Sequence, residues 1–238
     1  MEIQIAVAKT NKYAVSESGD TIEVVERPNG GLSVVLADGQ TSGRGAKAVS
    51  MLVVRKVIAL LAEGVRDGAA ARAASDSLYT DKRGKVISTL NIISVDLETN
   101  TVVLSRNNPV AFFVAHGDQI DCIDTPSTPI GVSRSIRPVI SEIPIEAGLV
   151  IVVYTDGLEH AGKRVGRPMS VCTSLEAMLE EQDPTPQAIA DALLAEAIAL
   201  DEGRPVDDIS VVVLKVQKRR GDDVRRMMVR VPITVEKH

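Results

Sequence analysis

The stretch VVLADGQTSGRGAKAVS, residues 34–50, changes from one secondary-structure pattern to another in its middle. Its apolar opening is typical of a buried strand, and Asp38-Gly39 is a turn dipeptide. From Gly43 onward, apolar residues recur at three- and four-residue steps until Gly64, which predicts an amphipathic helix of about five turns. That apolar series is Ala46, Val49, Val53, Val57 and Leu60. The chain therefore passes from a strand, through an acidic turn, into a helix.

Strand patterns lie on both sides of this helix. A second, Ala-rich helix is predicted around 67–80. The alternation of apolar and polar residues predicts strands before the first helix at 3–8, 21–26 and 32–38. After the second helix it predicts strands at 86–97, 101–106, 110–116, 119–124, 139–145 and 149–156. Short turns separate most of these strands, so the sheets are expected to be largely antiparallel.

The chain then returns to helices before a last strand. One helix is predicted around 170–181, and a second begins with Thr185 as N-cap and Pro186 at the first helical position. The apolar run ISVVVLKV predicts a strand over 209–216. Because the helices come in pairs between runs of strands, we expect one α+β domain over residues 1–216 with helices on the outer faces.

Residues 217–238 do not belong to this pattern. A KRRGDD turn leads into the alternating run VRRMMVRVPITV, which predicts an added strand or hairpin. The basic side chains here would either guard an exposed edge strand against pairing or attract an acidic partner. They are Lys218, Arg219, Arg220, Arg225, Arg226 and Arg230.

Composition narrows the class of protein. The 238 residues are 45% hydrophobic, which is enough apolar material for a sizeable core. A net charge of −5 and an aromatic content of 2% argue against nucleic-acid binding, which needs clustered cations and stacking rings. The apolar runs are too short to span a membrane, and no leader opens the chain. With only Cys122 and Cys172 there is no disulfide framework, so we expect a soluble, cytoplasmic protein.

Acidic residues stand where four of the strand patterns begin or end: Asp20, Asp38, Asp156, and either Asp207 or Asp208. Each alone is an ordinary turn residue. Together, carboxylates crowded beside buried strands require protons or cations to neutralise them. Oxygen ligands suit Mg²⁺ or Mn²⁺ better than zinc, and a backbone carbonyl at Gly39 could complete the set. These residues are therefore candidates for a divalent metal site.

The series ESGD, VVLADGQTSGRGAKAVS, VIVVYTDGLEHAG and VDDISVVVL resembles the metal-dependent protein phosphatases of the type 2C class. The similarity runs from about residue 3 to 216 in the family's order. It is closest to the compact bacterial branch, including the RsbX-type stressosome feedback phosphatases and the phosphatase domain of the sporulation protein SpoIIE. The resemblance implies a four-layer α-β-β-α sandwich with metals in a cleft at one end of the sheets.

The resemblance also implies a role for each aspartate. Asp38 matches the carboxylate that bridges two metals, and Gly39 matches the carbonyl that completes one of them. Asp156 matches the acidic ligand of the TDG motif. In the last motif the first acid is the ligand, which favours Asp207 and keeps Asp208 as the alternative.

Asp20 matches a family aspartate that reaches the metals through waters, and Glu17 is close enough in sequence to assist it. Asp20, Asp38 and Asp156 are thus the predicted catalytic set. The implied activity is hydrolysis of phosphoserine or phosphothreonine by a hydroxide that bridges two Mn²⁺ or Mg²⁺ ions, with a third ion as an option. The implied substrate is a phosphorylated protein, a stressosome or anti-sigma antagonist regulator. No nucleic-acid or membrane partner is expected.

Two departures from the family pattern change the expected chemistry. Many members have a His shortly after the Asp-Gly, whereas this chain has Gln40, Thr41 and Ser42, so a metal-bound water would have to protonate the leaving group. The Arg that clamps phosphate in those members also has no counterpart before Glu17. The nearest cations there are Lys9 and Lys12. His160 follows the TDG motif, and we interpret it as a surface residue early in a loop.

Two other functions stay open at this level. The chain could be a catalytically silent member that keeps the fold as a binding module, although it retains every matching carboxylate. It could also hydrolyse a small phosphoester or nucleotide with the same cation pair. No GxxxxGK[ST] phosphate-binding loop occurs to support a nucleotide substrate.

Overall fold

A computed structural model describes residues 1–117, 119–181, 183–219 and 221–232, and in these residues it contains ten strands and five α-helices. The strands are β1 (Glu2–Thr10), β2 (Asp20–Glu26), β3 (Leu32–Gly39), β4 (Ser88–Asp96), β5 (Thr101–Asn107), β6 (Phe112–His116), β7 (Gln119–Ile123), β8 (Val139–Pro144), β9 (Leu149–Tyr154) and β10 (Ile209–Gln217). The helices are α1 (Gly43–Ala62), α2 (Asp67–Lys82), α3 (Asp156–His160), α4 (Val171–Glu181) and α5 (Pro186–Leu200). The predicted order of strands and paired helices is confirmed.

The strands form two five-stranded sheets. The first has the order β1-β10-β9-β6-β7, and the second has the order β2-β3-β4-β5-β8. Every strand pair within them is antiparallel, as the short turns predicted. The first strand of the chain therefore pairs with the last, which closes the domain with contacts that are distant in sequence.

Three apolar clusters hold the layers together. Between the sheets, alternate residues of β3, β4, β9 and β10 interdigitate, such as Leu36, Ile93, Ile151 and Val212. A second cluster packs α1 and α2 on the outer face of one sheet, and a third packs α3, α4 and α5 on the outer face of the other. This is the α-β-β-α sandwich that the resemblance implied, built mainly from Val, Ile, Leu and Ala.

One end of the sandwich collects the acidic motifs. Because the strands are antiparallel, the start of β2 lies beside the end of β3, and the start of β10 lies beside the end of β9. The two pairs belong to different sheets, and hydrogen bonds between Asp20 and Thr155 or Ser210 join them at this end. The fold thereby places four strand ends from two sheets in one cleft.

Two boundaries differ from the sequence prediction. The strand predicted over 149–156 ends at Tyr154, and α3 begins at Asp156, so the TDG motif opens a short helix. The segment predicted as a strand or hairpin over 217–238 forms no strand in residues 218–219 and 221–232, where Arg225 instead forms an ion pair with Glu26. The rest of that prediction, residue 220 and residues 233–238, lies outside the described residues.

No helix in the described part of the chain combines the length and apolar character that crossing a bilayer requires.

Candidate metal centre

Asp20 begins β2 and is completely buried. Its Oδ2 accepts hydrogen bonds from the hydroxyl of Thr155 at 3.0 Å and from that of Ser210 at 2.6 Å. Its Oδ1 is also buried, and no hydrogen-bond donor among the described residues reaches it. Burial raises the pKa of Asp20 to about 6, against the lowering effect of the two hydroxyls. One oxygen of this carboxylate is held by protein, and the other is left without a partner.

Asp38 lies directly opposite Asp20 across the β2–β3 pair, so both side chains project from the same face of the sheet. Burial, and then the negative charges of Asp20, Asp156 and Asp207, raise the pKa of Asp38 to about 9. The sequence prediction grouped these four aspartates from strand ends alone, and the fold does bring them together. The ionised cluster needs positive charge to be stable.

Asp156 is the first residue of α3, and it is held near the other acids by a close backbone contact at the next position. A Cβ added to Gly157 would lie 2.1 Å from the carbonyl oxygen of Asp208, so only glycine allows α3 to approach the loop before β10 this closely. Leu158 is buried and anchors the helix in the core. The Asp156 side chain keeps 37% of its surface exposed at the mouth of the cleft.

The adjacent acids Asp207 and Asp208 differ in their hydrogen-bond partners. Both oxygens of Asp208 accept backbone N–H groups, from Lys12 at 2.9 Å and from Gly19 at 2.8 Å, and the residue is 3% exposed. Asp207 accepts one backbone hydrogen bond, from Asp208. Burial and the charge of Asp156 raise its pKa. The geometry thus favours Asp207 as a ligand. Asp208 instead connects the loop before β10 to the backbone at Lys12 and Gly19.

Gly39 ends β3 beneath the start of α1. A Cβ at this position would lie 2.0 Å from the carbonyl oxygen of Ala46, and the Gly39 N–H donates to the Gly19 carbonyl at 3.4 Å. Glycine is therefore required here by close packing of the helix against the strand end. Gln40, next in the chain, exchanges two hydrogen bonds with the backbone of Ile87, so it is committed to the fold.

Three lysines lie around the cleft. Lys9 and Lys47 both donate to the carbonyl oxygen of Asp20, at 2.7 and 2.8 Å, and burial together with Lys47 lowers the pKa of Lys9. The positive charge of Lys12 opposes the rise in the pKa of Asp207, so its ammonium group lies close enough to act on that carboxylate. Of the two cations noted in the sequence, Lys9 is therefore structural and Lys12 faces the acids.

The sequence prediction missed three residues that shape the site, Thr155, Ser210 and Lys47, and it placed His160 in a loop. Thr155 lies between the end of β9 and Asp156, and Ser210 is the second residue of β10. A hydroxyl close in sequence to a candidate ligand acid was therefore the available signal. Lys47 carried no signal, because its partner is a carbonyl oxygen brought close only by folding. His160 ends α3 rather than lying in a loop, and its Nδ1 is 3.9 Å from Asp156 Oδ2. Glu17 forms no hydrogen bond or ion pair with the aspartates in the part of the chain described.

These residues fit divalent cations. The available donors are carboxylate oxygens on four aspartates and backbone carbonyls beside them, which is the donor set of Mg²⁺ or Mn²⁺. The partnerless Oδ1 of Asp20 and the raised pKa of Asp38 both identify charge that the protein alone leaves uncompensated. Asp156, Asp207 and His160 each offer a ligand atom, and these atoms lie within 4.8 Å of one another.

The fold is that of the PP2C-type phosphatases. A family model described as Stage II sporulation protein E (SpoIIE) matches residues 28–217. The chain belongs to the SpoIIE family. It is 24% identical over 215 residues to Stage II sporulation protein E of Priestia megaterium, which covers 90% of this chain and 36% of that protein. A Bacillus subtilis relative is covered over 27% of its length, so the chain spans about a third of the curated relatives it matches.

Solved structures share the architecture. The PP2C phosphatase domain and regulatory fragment of SpoIIE from Bacillus subtilis superposes with a TM-score of 0.79 at 21% identity, covering 92% of this chain and 64% of that one. The catalytic domain of the phosphatase PstP in complex with two manganese ions gives 0.70 at 18% identity, covering 91% and 99%. RsbX in complex with magnesium gives 0.68 at 16% identity, covering 90% and 96%.

Proposed function

We propose that this chain is a protein serine/threonine phosphatase that hydrolyses phosphoserine or phosphothreonine with two divalent cations. The single observation that carries the proposal is the convergence of Asp20, Asp38, Asp156 and Asp207, from three strand ends and one helix start, on a cleft where Asp38 has its pKa raised to about 9. A purely structural turn would not require so much uncompensated charge. Family membership and the PP2C fold support the same function.

Each acid has a defined part in this proposal. Asp38, Asp156 and Asp207, together with the Gly39 carbonyl, would hold the two cations. Asp20 would act through Asp38, since Thr155 and Ser210 hold one of its oxygens and the charge of Asp20 acts on the neighbouring Asp38 carboxylate. When bound, such cations activate water and neutralise charge on the phosphate. The domain that carries this site is residues 1–216.

The cations we assign are Mn²⁺ or Mg²⁺. The oxygen donor set supports both, and the names of two structural neighbours, PstP with two manganese ions and RsbX with magnesium, are consistent with either. For a phosphate contact supplied by the chain itself we favour Lys12. Its charge acts on Asp207, and the structure shows no hydrogen bond from its ammonium group to any described residue.

Neither cysteine suits a covalent mechanism. Cys122 lies in β7 and Cys172 in α4, and neither element carries one of the four aspartates. Burial raises the pKa of the Cys122 thiol, and burial and a hydrogen bond to Glu176 raise that of Cys172, so both favour the unreactive thiol form. We therefore expect Cys122→Ser and Cys172→Ser to retain turnover. Both thiols are free, which supports a reducing, cytoplasmic location.

The substrate we assign is a phosphorylated bacterial regulator of the stressosome or anti-sigma antagonist type. The support is the family branch together with the open mouth of the cleft, where Asp156 is more than a third exposed and a protein loop could enter.

One comparison tests the activity. Purified chain is assayed on a phosphoserine protein, a phosphothreonine peptide and p-nitrophenyl phosphate, with Mn²⁺, with Mg²⁺ and with excess chelator. We expect metal-dependent release of phosphate with preference for the protein. Preference for the small ester would favour the alternative of a small-phosphoester hydrolase. Cation binding without any turnover would favour the silent module, and full turnover in chelator would contradict the two-cation site.

A further inference from the structure

Asp156 and His160 are the first and last residues of α3 and stand one helical turn apart on the same face. The His160 Nδ1 is 3.9 Å from the Asp156 Oδ2. The Asp207 carboxylate approaches from the loop before β10, so that one ligand atom from each of the three residues lies within 4.8 Å of the others. Two acids and an imidazole thus converge at the outer side of the proposed metal centre.

The backbone holds this arrangement independently of any ion. Gly157 presses α3 against the Asp208 carbonyl, which fixes the distance between the helix and the loop that carries Asp207. The N–H of Asp208 in turn orients the Asp207 carboxylate. His160 is 42% exposed and has no hydrogen bond to any described residue, so both ring nitrogens are open to an incoming ion.

An exposed ion pair at this distance would contribute little to stability. A shared cation accounts better for the convergence of three ligands. Neighbouring ligand atoms on an ion with bonds of about 2.1 Å are about 3 Å apart. Small side-chain rotations would therefore bring the three ligand atoms from within 4.8 Å of one another to the spacing of about 3 Å that a shared ion requires. Spacing of two ligands at positions i and i+4 of a helix is a recurrent way to present a metal site.

We propose that His160 is a nitrogen ligand of the cation held by Asp156 and Asp207. This rests on the proposed function and goes beyond its all-oxygen donor set. Imidazole binds Mn²⁺ and later transition ions in preference to Mg²⁺, which keeps oxygen ligands and water. His160 therefore gives this centre a preference for Mn²⁺ over Mg²⁺ that Asp156 and Asp207 alone would lack.

Pulsed electron paramagnetic resonance of the untagged, Mn²⁺-loaded chain tests the proposal directly. We expect nitrogen modulation in the electron spin echo, and we expect its frequencies to change when the histidines are labelled with ¹⁵N in the ring. The chain has three histidines. The signal should vanish in His160→Ala and persist in His116→Ala, a histidine at the end of β6. A signal that survives His160→Ala, or a wild-type echo without nitrogen modulation, would overturn the proposal.

Calorimetric titration with Mn²⁺ and with Mg²⁺ supplies a second readout that does not depend on turnover. His160→Ala should weaken Mn²⁺ binding by roughly tenfold and leave Mg²⁺ binding within about twofold, since only Mn²⁺ gains from the imidazole. An equal loss for both ions would overturn the nitrogen-ligand assignment. If the wild-type protein bound neither cation, the proposed metal-dependent function would itself be contradicted. Failure of the His160 proposal can therefore be told apart from failure of the proposed function.

Discussion

Asp20 and Asp38 are direct cross-strand partners, the first residue of β2 facing the next-to-last residue of β3. Two like charges in this relationship repel, and here the repulsion acts in a buried cleft with Asp156 and Asp207 close by. Selection for stability alone would not favour such a pair. The pair is therefore expected to lower the stability of the metal-free protein while serving the proposed function. Stability and turnover can be measured separately.

Replacing Asp38 by Asn should separate stability from activity. In chelator, Asp38→Asn should be as stable as wild type or more stable, because it removes a charge from the crowded cleft. Turnover with Mn²⁺ should fall by at least about 100-fold, because the bridging ligand is lost. Thermal melts with chelator and with Mn²⁺, together with phosphate release, measure both effects.

Asp121→Asn is the matched control, since Asp121 lies on β7 and, within the described residues, its carboxylate accepts hydrogen bonds from Gln119 alone. It should leave turnover and the Mn²⁺-induced rise in Tm intact. A mutant Asp38→Asn that is clearly less stable than wild type in chelator would show that Asp38 has a structural role, as an ordinary Asp-Gly turn requires.

Proton uptake by the same acids predicts how metal-free stability depends on pH. Asp20 and Asp38 have pKa values raised to about 6 and about 9, from 3.8, so the folded state binds their protons more tightly than the unfolded state does. Their contribution to stability is complete below about pH 4 and is lost as the pH rises through 6 and then 9. In chelator, the free energy of unfolding should therefore decrease between pH 5 and pH 9, relative to Asp38→Asn.

Saturating Mn²⁺ should flatten this dependence, because cations replace the protons and add roughly 2.7 kcal/mol at a free concentration 100 times the dissociation constant. Urea unfolding at five pH values, with and without metal, measures it. A metal-free stability that matches the pH dependence of Asp38→Asn over this range would mean that Asp38 is already ionised and satisfied in the folded state.

Replacing the two adjacent acids of the VDDIS motif by Ala should affect different properties: stability for Asp208 and metal binding for Asp207. Asp208→Ala leaves the N–H groups of Lys12 and Gly19 without acceptors, so it should lower the free energy of unfolding by about 2 kcal/mol or more even in chelator. Asp207→Ala should cost little stability in chelator and should weaken Mn²⁺ binding at least tenfold. Urea unfolding and calorimetric titration of the two variants give the comparison, and the reverse result would make Asp208 the ligand.

Adding one methyl group between α3 and the loop before β10 should lower both stability and metal affinity. Gly157→Ala places a Cβ 2.1 Å from the Asp208 carbonyl oxygen, so the helix must move away, at a cost of about 1–3 kcal/mol. Metal affinity should fall with it, because Asp156 moves away from Asp207.

Gly45→Ala is the matched control for this change. It adds the same methyl group to α1 where nothing lies within 4 Å, and it should stabilise the protein by about 0.5–1 kcal/mol without changing Mn²⁺ binding. Melting temperatures and titrations of both variants test the pair. Unchanged Mn²⁺ affinity in Gly157→Ala would show that this contact does not position Asp156.

Local patterns in the sequence determined the order of the elements and the composition of the core. Alternation predicted the strands and a 3.6-residue period predicted the helices, because both are set by which neighbours along the chain share a face. Acids at strand ends, together with the motif series, also predicted the site's aspartates, since antiparallel strand ends must meet at a sheet edge. The motif favoured Asp207 over Asp208 by resemblance alone, and neither the contacts that distinguish the two acids nor the location of His160 followed from those patterns.

Only the tertiary structure decided these points, because they depend on groups far apart in sequence. Asp208 is satisfied by backbone N–H groups almost two hundred residues away, which leaves Asp207 as the acid that faces the cleft. After β9 ends, the Thr155 hydroxyl donates to Asp20 in the other sheet and accepts from the Ser210 N–H in the neighbouring strand β10. Helix α3 can start at Asp156 because Gly157 fits against the Asp208 carbonyl. Long-range hydrogen bonds and close backbone contacts leave no periodic trace in a sequence, so the roles they assign become visible only in the folded chain.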